Sequence, residues 1–112
     1  NMLARTYRLR KNSDFQRLYK SAKRFASANL VLYYAPSTME YSQIGFVVSK
    51  KVAKSAVIRN TLRRRVSAIV EQNFVNIKTP VKAIILIRKD FSASKPAQLQ
   101  QEVEGLIKGI LK

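Results

Sequence analysis

Between Lys50 and Arg65 the chain carries seven basic residues and no acidic one: Lys50-Lys51, Lys54, then Arg59-Asn60-Thr61-Leu62-Arg63-Arg64-Arg65. Cations this close repel one another, and a polyanion relieves the repulsion while releasing its own counterions. Arg59 and Arg63 stand four residues apart, a spacing at which like charges on a helix cost about 0.2–0.5 kcal/mol. An ordinary solvated face mixes signs at that spacing. The pattern therefore points to phosphate, whose oxygens accept paired hydrogen bonds from a guanidinium group. Asn60 adds a donor and an acceptor beside the arginines.

Aromatic side chains are the second chemical resource. Phe15, Tyr19, Tyr33 and Tyr34 offer flat faces, and an aromatic plane beside a basic groove holds an unpaired base of any identity with about 1–3 kcal/mol. Strand alternation sends Tyr33 and Tyr34 to opposite faces, so Tyr33 and Tyr19 are candidates for stacking, while Phe15 is expected in the core. Groups that carry out bond-breaking chemistry are scarce. With no cysteine and no histidine, the chain lacks thiolate nucleophiles, disulfides, zinc ligands of those types and imidazole acid–base catalysis. The acidic residues Asp14, Glu40, Glu71, Asp90, Glu102 and Glu104 form no close pair suited to clamping two metal ions. Glu102 and Glu104, two apart on a helix, point in different directions.

These residues must be positioned by a single folded domain spanning 1–112, since 112 residues support one core. The 22 basic and 6 acidic residues give a net charge of +16, well beyond the magnitude of about 2–8 that solubility asks of a small domain. Yet 46% of the residues are hydrophobic and fall in periodic blocks, which separates the chain from disordered basic tails. No apolar run reaches the roughly 20 residues that span a bilayer, and no signal peptide is evident. A cytoplasmic protein with no membrane partner is expected.

Residues 1–11 read as a basic arm carrying Arg5, Arg8, Arg10 and Lys11 and tied down through Tyr7 and Leu9. Ser13 and Gln16 have the form of a capping box, followed at helical spacing by Phe15, Leu18, Tyr19 and Ala22, so a helix is predicted over 14–23. From Phe25 to Ser49 there is no Lys or Arg, and the pattern turns strand-like over 29–34 and 43–49, joined by a turn from Pro36 that suggests antiparallel pairing. Ser55 is placed to cap a helix over 56–74. Residues 81–87 read as a buried strand, and Pro96 opens a last helix with the apolar stripe Leu99, Val103, Leu106, Ile107 and Ile110. Patterning thus yields three strands, and a fourth is available if Gly45 lets 42–52 split in two. At about 100° per residue, Arg59, Asn60, Arg63, Arg64 and Ser67 share a polar sector of the middle helix. Ile58, Leu62, Val66, Ile69 and Val70 take the apolar side, and Arg65 falls off the basic ledge.

Asn12-Ser13-Asp14-Phe15 entering a helix, Leu30-Val31-Leu32-Tyr33 on a strand, Gly45-Phe46-Val47-Val48-Ser49-Lys50-Lys51-Val52, and Ala56-Val57-Ile58-Arg59-Asn60 with Arg63-Arg64 together resemble the protein subunit of bacterial ribonuclease P over nearly the whole chain. Thr61 and Ser67 stand where that family usually has further arginines. The resemblance implies an α+β two-layer sandwich of order α-β-β-β-α-β-α, with a four-stranded central sheet and a left-handed βαβ crossover, like the second domain of a small-subunit ribosomal protein. It also implies a division of labour. Lys50, Lys51, Lys54, Arg59, Asn60, Arg63 and Arg64 would contact the catalytic RNA subunit, while Phe15, Tyr19 and Tyr33 would hold the single-stranded 5′ leader of precursor tRNA. The RNA would carry the cleavage that leaves the mature tRNA 5′ end, with no catalytic residue from the protein. Mg2+ would be bound mainly by RNA rather than by a protein site, and the protein would be monomeric within the ribonucleoprotein. The competing reading is a structural RNA-binding protein of ribosomal type. DNA is not expected as a partner, because a groove-reading helix would need a companion helix where this sequence reads as strand.

Overall fold

The run Val-Lys-Ala-Ile-Ile-Leu-Ile is too apolar to face water on either side, and it forms β4 (Val81–Ile87), the strand on which the sheet is assembled. The structure is a computed structural model that describes residues 5–9, 12–21 and 23–110. Its elements follow the order α1 (Asn12–Ser21), β1 (Lys23–Ala26), β2 (Leu30–Pro36), β3 (Gln43–Val48), α2 (Ala56–Asn73), β4 and α3 (Pro96–Ile110), with short 3-10 turns at Arg5–Tyr7 and Phe74–Asn76. This is the expected α+β order.

The sheet runs β1-β2-β4-β3. β4 pairs antiparallel with β2, from Leu30 opposite Ile87 to Pro36 opposite Val81, and parallel with β3, from Gln43 opposite Lys82 to Val48 opposite Ile87. The two strands expected to pair with each other, β2 and β3, therefore run antiparallel but are separated by β4. A strand buried on both faces gains most from two neighbours, and β4 is the most continuously apolar of the four. The fourth strand is also not the one expected. The 42–52 stretch does not split, and Gly45 lies in unbroken register opposite Ile84. The additional strand is instead β1, a four-residue edge strand with all residues exposed, in antiparallel register with β2. So short and exposed a strand leaves no apolar alternation to read. The predicted first helix accordingly stops earlier: it begins at Asn12, which places Ser13 inside the first turn rather than at the cap, and Lys23 belongs to β1. Ala22 lies outside the described residues, as do Arg10 and Lys11 of the arm.

Alternation divides the core. Leu30, Leu32 and Tyr34 of β2, Ile44 and Val48 of β3 and Val81, Ala83, Ile85 and Ile87 of β4 face α2 and α3, meeting Leu62, Val66, Val70, Leu99, Val103 and Ile107. Ile84, with Tyr33, Ala35 and Val47, faces α1 and packs on Leu18, Leu9 and Phe15. Ser55 caps α2 as expected, its Oγ accepting from the Ile58 amide at 3.4 Å. Near the N-terminus, Arg8 forms a parallel bridge to Ile44, and Tyr7 packs against Tyr41 and Phe74. Here the expected arm covers the outer edge of β3.

Candidate nucleic-acid interface

The basic segment begins where β3 ends. After Val48 the chain turns sharply, with the Val52 amide donating to the Ser49 carbonyl at 3.1 Å, and Ala53 is buried at the base of the turn. Lys50, Lys51 and Lys54 are thereby held out in solvent just before the N-terminus of α2. Arg59 then folds back. Its Nη1 donates to the carbonyls of Ala53 and Lys54, both at 2.8 Å, so one end of this guanidinium staples the lysine-bearing turn to the helix. The remaining N–H groups stay free for another acceptor. One turn on, Arg63 Nη2 donates to Asn60 Oδ1 at 3.0 Å, which fixes the pair side by side, and Arg64 is exposed beyond them.

Arg65 departs from the ledge, as the wheel predicted, and donates to the Ser92 carbonyl at 3.2 Å. Hydrogen bonds from Ser92, with Arg65 nearby, hold the Asp90 carboxyl below its usual range. The wheel was wrong about two other residues. Ser67 is fully buried, and Ile58 is 37% exposed. Because α2 packs against both β3 and α3, its buried arc is broad and reaches the position one turn beyond Arg63. The Thr61 hydroxyl donates to the Val57 carbonyl at 3.0 Å.

On the α1 face of the sheet the predicted aromatic residues come together. Register places Arg24, Tyr33, Ile84 and Gly45 in one row across β1, β2, β4 and β3. Phe15 lies over Gly45, where a Cβ would come within 2.7 Å of the Phe15 Cζ, so the missing side chain is what lets the helix sit this close. Phe15 is half-buried and serves mainly as the packing layer between α1 and β3. Tyr19 meets Tyr33 edge to face, with centroids 5.1 Å apart and planes at 84°, and it remains 42% exposed. Burial, aided by Tyr33, raises the Tyr19 hydroxyl pKa. An ion pair between Lys82 and Asp14 at 3.2 Å anchors the first turn of α1 to β4.

Two further residues extend these surfaces. Val47, which packs on the same side of the sheet as Tyr33, lies on β3, the strand that ends at Val48 and leads into the lysine turn. Arg24 stands opposite Tyr33 on β1, so alternation brings a cation to the cleft's other side. Sequence reading missed Arg24 because β1 itself was missed; the available signal was Phe25, the one large apolar residue of the strand.

A sequence model of the ribonuclease P family matches residues 3–111. The chain belongs to that family. Among its curated relatives is the ribonuclease P protein component of Clostridioides difficile, 36% identical over 108 residues and covering 96% of this chain and 91% of that one. A Synechococcus component is 37% identical over 110 residues, covering 95% and 87%. The fold agrees with solved ribonuclease P proteins. A Staphylococcus aureus mutant described as defective in mRNA degradation superposes with a TM-score of 0.83 at 29% identity, covering 92% of this chain and 86% of that one. The Thermotoga maritima protein superposes with a TM-score of 0.82 at 28% identity, covering 92% and 96%. The match over nearly the whole length establishes this chain as a ribonuclease P protein component and disfavours the ribosomal alternative. Among the described residues, no helix is long and apolar enough to cross a membrane.

Proposed function

We propose that this ribonuclease P protein binds the catalytic RNA through Lys50, Lys51, Lys54, Asn60, Arg63 and Arg64, and binds the 5′ leader of precursor tRNA across Tyr19, Tyr33 and Arg24. The observation that carries the reading is that one small domain presents both chemistries, an exposed aromatic pair of Tyr19 and Tyr33 with Arg24 in register beside it and a turn of three exposed lysines leading into α2. Phosphate contacts fix register without reading sequence, and stacked rings accept any base, which suits one subunit serving many precursors. In this scheme Arg59 acts chiefly by holding the lysine turn, and Phe15 by supporting α1.

The RNA carries the chemistry. Four of the six carboxylates are engaged elsewhere, Asp14 with Lys82, Asp90 with Ser92, Glu102 with Ser27 and Asn29, and Glu104 with Gln100, and among the described residues no three acidic side chains group together. They do not converge, so they do not fit a magnesium ion, and Mg2+ is assigned to RNA phosphates brought together by the basic ledge. The subunit acts as a monomer in the cytoplasmic ribonucleoprotein.

Reconstitution tests the reading. With a bacterial ribonuclease P RNA at low magnesium, the protein should restore removal of the leader, and the complex should bind precursor more tightly than mature tRNA. Failure to stimulate cleavage would refute the assignment of activity, and equal affinity for the two RNAs would refute leader binding.

A further inference from the structure

Strand β1 sends its two cations to opposite faces. Arg24 is paired with Tyr33, and Lys23 with Tyr34, so Lys23 lies on the side of α2 and α3. There Lys23, Tyr34, Val81, Ile110 and the loop at 76–79 surround a hollow of about 510 Å³, within the range of about 300–1,000 Å³ typical of small-ligand clefts. Its floor is apolar. Tyr34 is only 8% exposed and stacks on Phe25 with centroids 5.9 Å apart and planes 10° from parallel, and Ile77 and Val81 are buried beside it. Its rim consists of donors: the ammonium groups of Lys23 and Lys78, the Asn76 amide and the Thr79 hydroxyl, all on exposed residues.

None of the lining residues is acidic. Glu104 lies in the adjoining hollow, where its carboxylate accepts from Gln100 Nε2 at 2.9 Å. Among the described residues no hydrogen bond or ion pair engages the side chain of Lys23 or of Lys78. An apolar floor alone would suit a hydrocarbon, and cations alone would suit a simple anion. Together they suit a ligand with a flat or apolar body and a phosphate.

We propose that this hollow is a second RNA site, which takes one unpaired nucleotide with its base and ribose against Tyr34, Ile77 and Val81 and its phosphate between Lys23 and Lys78. The proposal rests on the RNA-binding reading above but concerns the opposite face of the sheet from Tyr19 and Tyr33. Because β1 is an edge strand, a single strand passing its free edge can reach both faces.

The test is a titration of the isotopically labelled protein with a short uridine oligomer, followed by amide resonances. Resonances of Tyr34, Asn76, Lys78 and Thr79 should move saturably, in addition to those around Tyr19 and Tyr33. In the Lys23→Glu/Lys78→Glu variant, the shifts of the first group should require about tenfold more oligomer, while those around Tyr33 persist and attest the fold. If residues 76–79 stay still while the Tyr19–Tyr33 group moves, the second site is refuted and the leader cleft stands. If neither group moves, both fail. Equal shifts with inorganic phosphate alone would also overturn the assignment, by reducing the hollow to an anion patch.

Discussion

Arg59 and Arg63 look equivalent in the sequence, but the structure gives them different tasks, and their substitution should separate them. Arg59→Ala removes two hydrogen bonds from a charged donor, each 2.8 Å long, to the carbonyls of Ala53 and Lys54. Charged hydrogen bonds contribute about 1.5–3 kcal/mol when well shielded. These are partly exposed, so about 2 kcal/mol for the pair is reasonable, equivalent to roughly 30-fold in an equilibrium. That free energy holds Lys50, Lys51 and Lys54 in one arrangement, and Arg59→Ala should therefore weaken binding to the ribonuclease P RNA by about 30-fold. Arg63→Ala should instead remove a single phosphate contact. It lowers the slope of log K against log salt by about 0.9, so the loss of affinity between 50 and 200 mM salt shrinks by about 3.5-fold. The decisive assay is a double-mutant cycle with Lys54→Ala, read by filter binding over a salt series. Lys54→Ala should be strongly non-additive with Arg59→Ala, since the staple and the lysine act as one unit, and additive with Arg63→Ala. Additivity in both cycles would refute the staple and return Arg59 to the role of an independent phosphate contact.

Tyr33→Ala and Tyr19→Ala should each reduce affinity for leader-bearing precursor by about 5- to 150-fold, from 1–3 kcal/mol of stacking, and Arg24→Ala by a smaller salt-dependent amount. Binding of mature tRNA to the same complexes should be unchanged. Gly45→Ala should destabilise the fold by about 1–3 kcal/mol in urea denaturation, because the new methyl group meets Phe15 at 2.7 Å. Glu102 accepts hydrogen bonds from Ser27 Oγ and from the Asn29 backbone and side-chain nitrogens, and these outweigh burial to hold its carboxyl below the ordinary 4.5. A carboxyl depressed in the folded state contributes stability that is complete above its unfolded pKa and is lost as pH falls through the folded one. Glu102→Gln should thus cost about 1 kcal/mol at neutral pH and flatten the acid limb of the stability profile below pH 4.5.

What could be read from the sequence depended on how far each signal was local. Val81–Ile87 announces itself by apolar continuity, α2 by Ser55 and its leucine and valine stripe, and α3 by Pro96 and its own stripe. The pairing of β2 with β4 rather than β3 is a long-range choice that no local pattern encodes, and β1 exists because β2 offers it an edge. The candidate site shows the same division. Lys50, Lys51, Lys54 and Arg64 stand in solvent as charge alone suggests. The back-bonding of Arg59 depends on the turn that β3 feeds into α2, and the burial of Ser67 on how many neighbours α2 has.

The place of β4 in the sheet also governs how the chain comes to exist. Apart from the β1–β2 hairpin, every strand pairing in the sheet uses β4, and an isolated hairpin is at best marginally stable in water. During synthesis, the segment from Lys50 to Arg65 therefore leaves the ribosome well before the sheet that orients it can close. A nascent chain stopped short of β4 has the whole basic segment but lacks the strand that joins β2 to β3 and the core residues Val81, Ala83, Ile84, Ile85 and Ile87. Folding with this much non-local pairing is expected to be slow and cooperative, so specific recognition begins only when the last strand is in place.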